Sequence, residues 1–288
     1  MASPKEILAN LCGRLGLSRV GIAVQSAIGS PFIRAINYHD VPPTDADAFN
    51  RQLDLYEAHF ECVDLEKLFA LQRGEWESDK PGLILSFDDG LRSHAEVVAP
   101  LLEARGWVGW FMVPFGFVAS PEEKQIAYAE EYKIGHSGVA YGASRIALSW
   151  DDARRLARSH VVGCHGLTHR RLSAALGPKE IEEEIPGAKS RLEAETGCPV
   201  QGFAWIGGEE TSYSQAAAKA IAEAGFQMSF MTNNAPIRPG CDLLQLQRTN
   251  IEAENSEHVV LFQLSGIMDL LYSAKRNRVN KLTRMPAH

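Results

Sequence analysis

The 288-residue chain reads as an α/β protein built on a largely parallel sheet, open or closed into a barrel. Three observations carry that expectation. Short β-rich runs alternate with helical patterns, Asp-Asp-Gly follows one strand-like run, and His-x3-His follows another. In such folds the chemistry collects where strands end at their carboxyl side.

In chain order, residues 1–25 carry Lys5, Glu6, Arg14 and Arg19, which interrupt any secretory apolar region and point to an amphipathic helix capping the domain. Strands are expected over 33–38, 82–87, 109–113, 161–164, 202–206, 227–231 and 244–248. Helices are expected over 47–59, 92–105, 150–159, 178–196 and 214–224. Ser149, followed by Asp151 and Asp152, suits a helix start, and Ser212 or Ser214 could cap the Ala-rich helix that stops before Gly225. Residues 121–148 are the least regular and read as a long loop or insertion beside the site, and 256–271 as a packing helix. The expected organisation is a helical segment over 1–31, a single catalytic domain over 32–255, and a helical tail over 256–288.

Composition excludes several function classes. Apolar content of 45% and charged content of 23% are ordinary for a soluble globular protein. No apolar run approaches the ~20 residues of a membrane span. A formal charge of −7 gives no reason to expect nucleic acid or an anionic membrane as partner, and Lys275-Arg276-Asn277-Arg278 reads as a solvated helix face. Cys12, Cys62, Cys164, Cys198 and Cys241 form no CxxC pair, which fits free thiols, a reducing compartment and a cytoplasmic location. Cys164 is expected to end a buried strand rather than to bind metal.

Asp88 and Asp89 close the apolar run over 82–87. Two adjacent carboxylates there repel one another and resist desolvation unless a cation accompanies them. His165 and His169 follow the run over 161–164, and an i, i+4 pair on one helical face can bind one metal ion. Both motifs fall at strand ends, so all four groups should meet at one mouth of the sheet. One carboxylate and two imidazoles with open positions form a hydrolytic rather than a structural set. The second carboxylate is then placed to take a proton from water.

Ser86-Phe87-Asp88-Asp89-Gly90 and His165-Gly166-Leu167-Thr168-His169, in this order, resemble the motifs of the polysaccharide deacetylases (NodB-homology domain, carbohydrate esterase family 4). Asn37-Tyr38-His39-Asp40-Val41, Trp110-Phe111-Met112-Val113 and Leu148-Ser149-Trp150 extend the resemblance, which covers roughly 33–251. It implies a distorted (β/α)7-type barrel, Asp88 as catalytic base, and Asp89, His165 and His169 as ligands of a divalent metal, usually zinc. It also implies hydrolytic removal of acetyl from an N-acetylated sugar, so the expected partner is a carbohydrate.

The sequence departs from the family pattern in three places. Gly166 stands where a Ser or Thr is usual. Phe203-Ala204-Trp205-Ile206-Gly207-Gly208 lacks the Arg and Pro of the third motif, leaving the partner of the base open, with Glu209 and Glu210 nearby. No Leu-His pair supplies the acid, and His258 is a poor match; His39 is the candidate donor, its charge favoured by Asp40. Trp205, Tyr38 and His94 are candidate substrate contacts, with Trp150 and His136 behind them; packing is the default for a Trp in such positions. Two other readings remain at this level: hydrolysis of a small non-sugar amide, and an inactive barrel that binds glycans or serves as a scaffold.

Overall fold

The computed structural model describes residues 4–28, 30–137 and 145–285. The strands are β1 Ile33–Tyr38, β2 Glu61–Cys62, β3 Gly82–Phe87, β4 Gly109–Val113, β5 Val161–Cys164, β6 Gly202–Ala204, β7 Met228–Met231, β8 Leu246–Gln247 and β9 Thr249–Asn250. The helices are α1 Pro4–Arg14, α2 Leu17–Ile28, α3 Ala46–His59, α4 Leu65–Arg73, α5 Ala99–Glu103, α6 Phe115–Ala119, α7 Gln125–Tyr132 and α8 Trp150–Ser159. They continue with α9 Pro178–Glu182, α10 Ala188–Thr196, α11 Gln215–Glu223, α12 Glu257–Leu264 and α13 Ile267–Thr283.

Every ladder between named strands is parallel, in the order β8-β7-β6-β5-β4-β3-β1-β9, with β2 beside β3. The two ends of that path, β8 and β9, are consecutive in the chain and separated by Arg248 alone. The result is a nearly closed (β/α)7-type barrel whose last gap is bridged by the backbone instead of by a ladder. The expected strand over 244–248 is therefore broken: a 3-10 turn at Leu243–Gln245 leads into β8, and the chain then crosses to β1 as β9.

Side-chain parity divides the barrel into two layers. Ile36 and Tyr38 of β1, Leu85 and Phe87 of β3, and Phe111 and Val113 of β4 pack with α3 and α8 residues such as Phe49, Tyr56 and Leu156. The alternate residues, including Ile33, Ala35, Ile84, Trp110, Met112, Ala204, Met228, Phe230 and Leu246, form the interior, with Leu68 and Leu71 of α4 in the same cluster. Following this inner parity past the apolar layer reaches Asn37 and His39, Ser86 and Asp88, His165, and Arg248. The polar mouth is the continuation of the interior.

Several helices differ from their expected form. The helix over 92–105 contains a π-helical turn at His94–Val98 before α5, and that over 178–196 contains one at Glu183–Gly187 between α9 and α10. Ser149 forms a full capping box with Asp152, and Ser214 accepts from the Ala217 N–H. The stretch over 121–148 is not all loop: it carries α7, while residues 138–144 lie outside the described residues. The N-terminal segment forms two helices, and Ala9 and Cys12 of α1 pack on Val259 and Phe262 of α12. Among the described residues, no helix is long and apolar enough to cross a membrane.

Candidate metal centre and cleft

Asp88 begins where β3 ends, its N–H donating to the Tyr38 carbonyl at 2.9 Å. Its carboxylate is buried and receives both arms of one guanidinium: Arg248 Nη1 donates to Oδ1 at 2.7 Å and Nη2 to Oδ2 at 2.8 Å. Arg248 Nη1 also donates to Ser86 Oγ at 2.9 Å, and Asn37 Nδ2 reaches Asp88 Oδ2 at 3.4 Å. Burial pushes the Asp88 pKa up, but Arg248 and His165 outweigh it, so the carboxyl stays below its usual range and ionised at neutral pH. Arg248 is the partner of Asp88 that the third motif left open. Sequence reading missed it, although Arg248 shares the parity of inward-facing Leu246 at a strand end.

Asp89 takes a left-handed backbone conformation (φ +79°), which turns its carboxylate away from its neighbour's. Its Oδ1 lies 3.0 Å from His169 Nε2 and 3.5 Å from His165 Nε2, and the three ligand atoms fall within 4.8 Å of one another. The His165 Nδ1–H donates to the Ala204 carbonyl at 2.8 Å, and the His169 Nδ1–H to the Tyr132 carbonyl at 2.9 Å. A carbonyl only accepts, so both protons sit on Nδ1 and both Nε2 atoms turn toward Asp89. Asp89 Oδ1 is buried without a hydrogen-bond donor. One carboxylate oxygen and two imidazole nitrogens converging in this way fit a divalent cation.

The histidines do not share a helical face, as their spacing had implied. Residues 165–169 form a loop with Gly166 at φ +80° and His169 at φ +61°, and these two left-handed positions fold the imidazoles together. Their rings stand 5.0 Å apart.

His39 ends the inner parity of β1, and its Nδ1 lies 3.0 Å from Glu252 Oε1. Burial lowers the His39 pKa, but the Glu252 hydrogen bond and the charge of Asp89 more than reverse this and raise it to about 9. The Asp40 carboxylate, by contrast, accepts from Ser93 Oγ, Ser137 Oγ and the Ser137 N–H. Glu252 is the second group that sequence reading missed.

Tyr38 and His94 are buried away from the cleft, whereas Trp205 lines it with little of its surface. Tyr38 has the outer parity of β1, stacks on Phe87 at 5.4 Å, and its hydroxyl donates to Gln52. Gln52 Nε2 in turn donates to the carbonyls of Glu252, Ala253 and Asn255, so Tyr38 braces the turn that carries Glu252. His94 is fully buried against Phe87 and Phe111, and its Nε2–H donates to the His39 carbonyl at 2.9 Å. Trp205 borders the cleft but is 2% exposed, packed on Phe203 and Tyr213 with its Nε1–H donating to Ser229. Trp150 packs on Phe115, and Cys164 is buried at the end of β5. His136 and Glu209 do line the cleft, while Glu210 pairs with Arg278.

The cleft above these groups has a volume of about 1170 Å³. One wall comes from Tyr132, Lys133 and His136, and the opposite wall from Met268, Tyr272 and Lys275 of α13. That exceeds the ~300–1,000 Å³ of an ordinary small-molecule pocket.

A family model described as polysaccharide deacetylase matches residues 76–229, more than half of the chain. No curated protein matches the sequence. Among solved structures, the chain is similar to the Streptococcus pyogenes deacetylase PplD in complex with acetate, at 18% identity and a TM-score of 0.62, covering 81% of this chain and 98% of PplD. IcaB from Ammonifex degensii gives 18% identity and a TM-score of 0.62, covering 83% of this chain and 97% of IcaB. The BpsB deacetylase domain from Bordetella bronchiseptica gives 14% and 0.60, covering 78% and 97%. At these identities the likeness is one of fold.

Proposed function

The chain belongs to the polysaccharide deacetylase family, hydrolases of carbon–nitrogen amide bonds, and we propose that it removes acetyl groups from an N-acetylated glycan chain with Asp88 as base and His39 as acid. The single observation that carries the division of labour is the contrast in partners between the adjacent carboxylates. Asp88 is paired with Arg248, whereas Asp89 faces two imidazole nitrogens.

Asp89, His165 and His169 are the residues that would hold a divalent ion, zinc in this reading. When bound, it supplies a Lewis acid that acidifies water and polarises the acetamide carbonyl. Asp88, kept ionised by Arg248, takes the proton of the attacking water. Expulsion of an amine needs a proton on nitrogen, because an amine anion is a very poor leaving group. His39 carries that proton on Nε2, since its Nδ1 is engaged by Glu252. The volume of the cleft supports an extended glycan over a small cyclic or formyl amide.

The test is acetate release from N-acetylated sugar oligomers and from small amides, after chelation and after zinc is restored. Release from oligomers that stops on chelation and returns with zinc is the expected result. Faster turnover of small amides would move the substrate assignment, and activity indifferent to chelation would remove the metal from it.

A further inference from the structure

A buried carboxylate outside the reacting groups holds the loop between the two histidines. Glu184 is 3% exposed and follows the first residue of the π-helical turn Glu183–Gly187. The wider π turn lets the consecutive residues Glu184 and Ile185 both face inward, while Glu182 and Glu183 remain exposed. Glu184 Oε2 accepts from the N–H groups of Leu167 at 2.9 Å and Thr168 at 3.0 Å, and Oε1 accepts from the Thr168 hydroxyl. The other side of the loop is fixed independently, since the Gly166 and Leu167 carbonyls accept from the N–H groups of Phe115 and Gly116 at 3.1 and 2.7 Å.

We infer that Glu184 is a positioning residue that presets His165 and His169 for metal, an inference that rests on the metal reading above. Without Glu184, the Leu167 and Thr168 N–H groups are left without their acceptor in a partly buried loop. The loop would then have to be ordered by the ion itself, at the expense of its affinity. Gly166 belongs to the same arrangement. A Cβ there would stand 3.0 Å from Glu184 Oε2, and the glycine already sits at φ +80°. The missing side chain after His165 is thus the space that the carboxylate occupies, and the loop hydroxyl is supplied at Thr168.

The experiment uses the full chain with Glu184→Ala and Glu184→Gln. Zinc affinity is measured by chelator competition, thermal unfolding is recorded without metal, and turnover is measured at saturating zinc. Zinc binding to Glu184→Ala should weaken about 10–100-fold, the usual consequence of removing a group that orients metal ligands. Glu184→Gln should weaken it less, because its amide oxygen can still accept, and kcat at saturating zinc should recover more than affinity does. A purely structural role would lower the metal-free melting temperature and leave zinc affinity within about two-fold of wild type, which overturns the inference. If Glu184→Ala does not fold, the same comparison on Glu184→Gln decides. Wild-type protein that binds no zinc stoichiometrically defeats the metal reading, and this inference with it. Wild-type binding with unaffected variants defeats only the role of Glu184.

Discussion

Replacing Glu252 with Gln keeps the size of the side chain and removes the charge facing His39. The two side chains are about a third exposed, 34% and 37%, and lie 3.0 Å apart. Burial alone lowers the His39 pKa, and Glu252 with Asp89 and Asp88 lifts it from 6.5 to about 9. A group with a raised pKa is an acid below it and is spent as pH rises through it, so wild-type activity should fall on the alkaline side, at a pH that a cation on Asp89 would draw below 9. Without Glu252, burial draws the His39 pKa down with only the aspartates opposing it, so that limb should move to lower pH. Were the pKa to pass from about 9 to 6.5, the protonated fraction at pH 8 would drop from ~0.9 to ~0.03, an activity loss of about 30-fold, against less than about two-fold at pH 6. The assay is kcat/KM for an N-acetylated oligomer from pH 5.5 to 10, with wild type and variant at saturating zinc. A uniform loss at every pH, or an alkaline limb that stays within about 0.3 units of wild type, would refute the assignment of His39 as acid with Glu252 as its partner.

Asp88→Asn should cut kcat by at least about 100-fold while zinc stoichiometry is retained; a near-native rate would assign the base elsewhere. Arg248→Met leaves Asp88 buried without its cation and should cost about 3–5 kcal/mol in urea unfolding at neutral pH. Because the folded pKa of Asp88 is depressed, that contribution exists above the ordinary carboxylate range and vanishes as pH falls through the folded value. The gap between wild type and variant should therefore narrow in acid, and a pH-independent gap would contradict the pairing. Zinc at 100 times its Kd should stabilise wild type by about 2.7 kcal/mol and leave His169→Ala unchanged; equal stabilisation of both would place the ion elsewhere.

Strand positions and the two motifs were legible because apolar alternation and the residues at strand ends are local signals. The meeting of Asp89 with His165 and His169 followed from strand ends alone, although the spacing argument that paired the histidines was wrong in its geometry. Parity along the strands was the signal left unused. Tyr38 and Trp205 alternate with the inward residues, which is why both pack in the outer layer. The π turns were not legible, since one added residue in a helix leaves no compositional mark. Glu252 was hidden for another reason: it lies 213 residues from His39, and only barrel closure brings the two together.

The crossing from β8 to β9 has a consequence for how the protein comes into being. The groups given roles in the proposed mechanism, His39, Asp88, Asp89, His165 and His169, all lie at or before position 169, but Arg248 and Glu252 arrive with the segment that closes the barrel. A chain emerging from the ribosome therefore carries those groups long before it carries Arg248 and Glu252. Until the final strand crosses from β7 to β1, Asp88 lacks the Arg248 guanidinium and His39 the Glu252 carboxylate. In the proposed mechanism, catalytic competence would therefore await barrel closure, and turnover would report folding without registering half-built barrels.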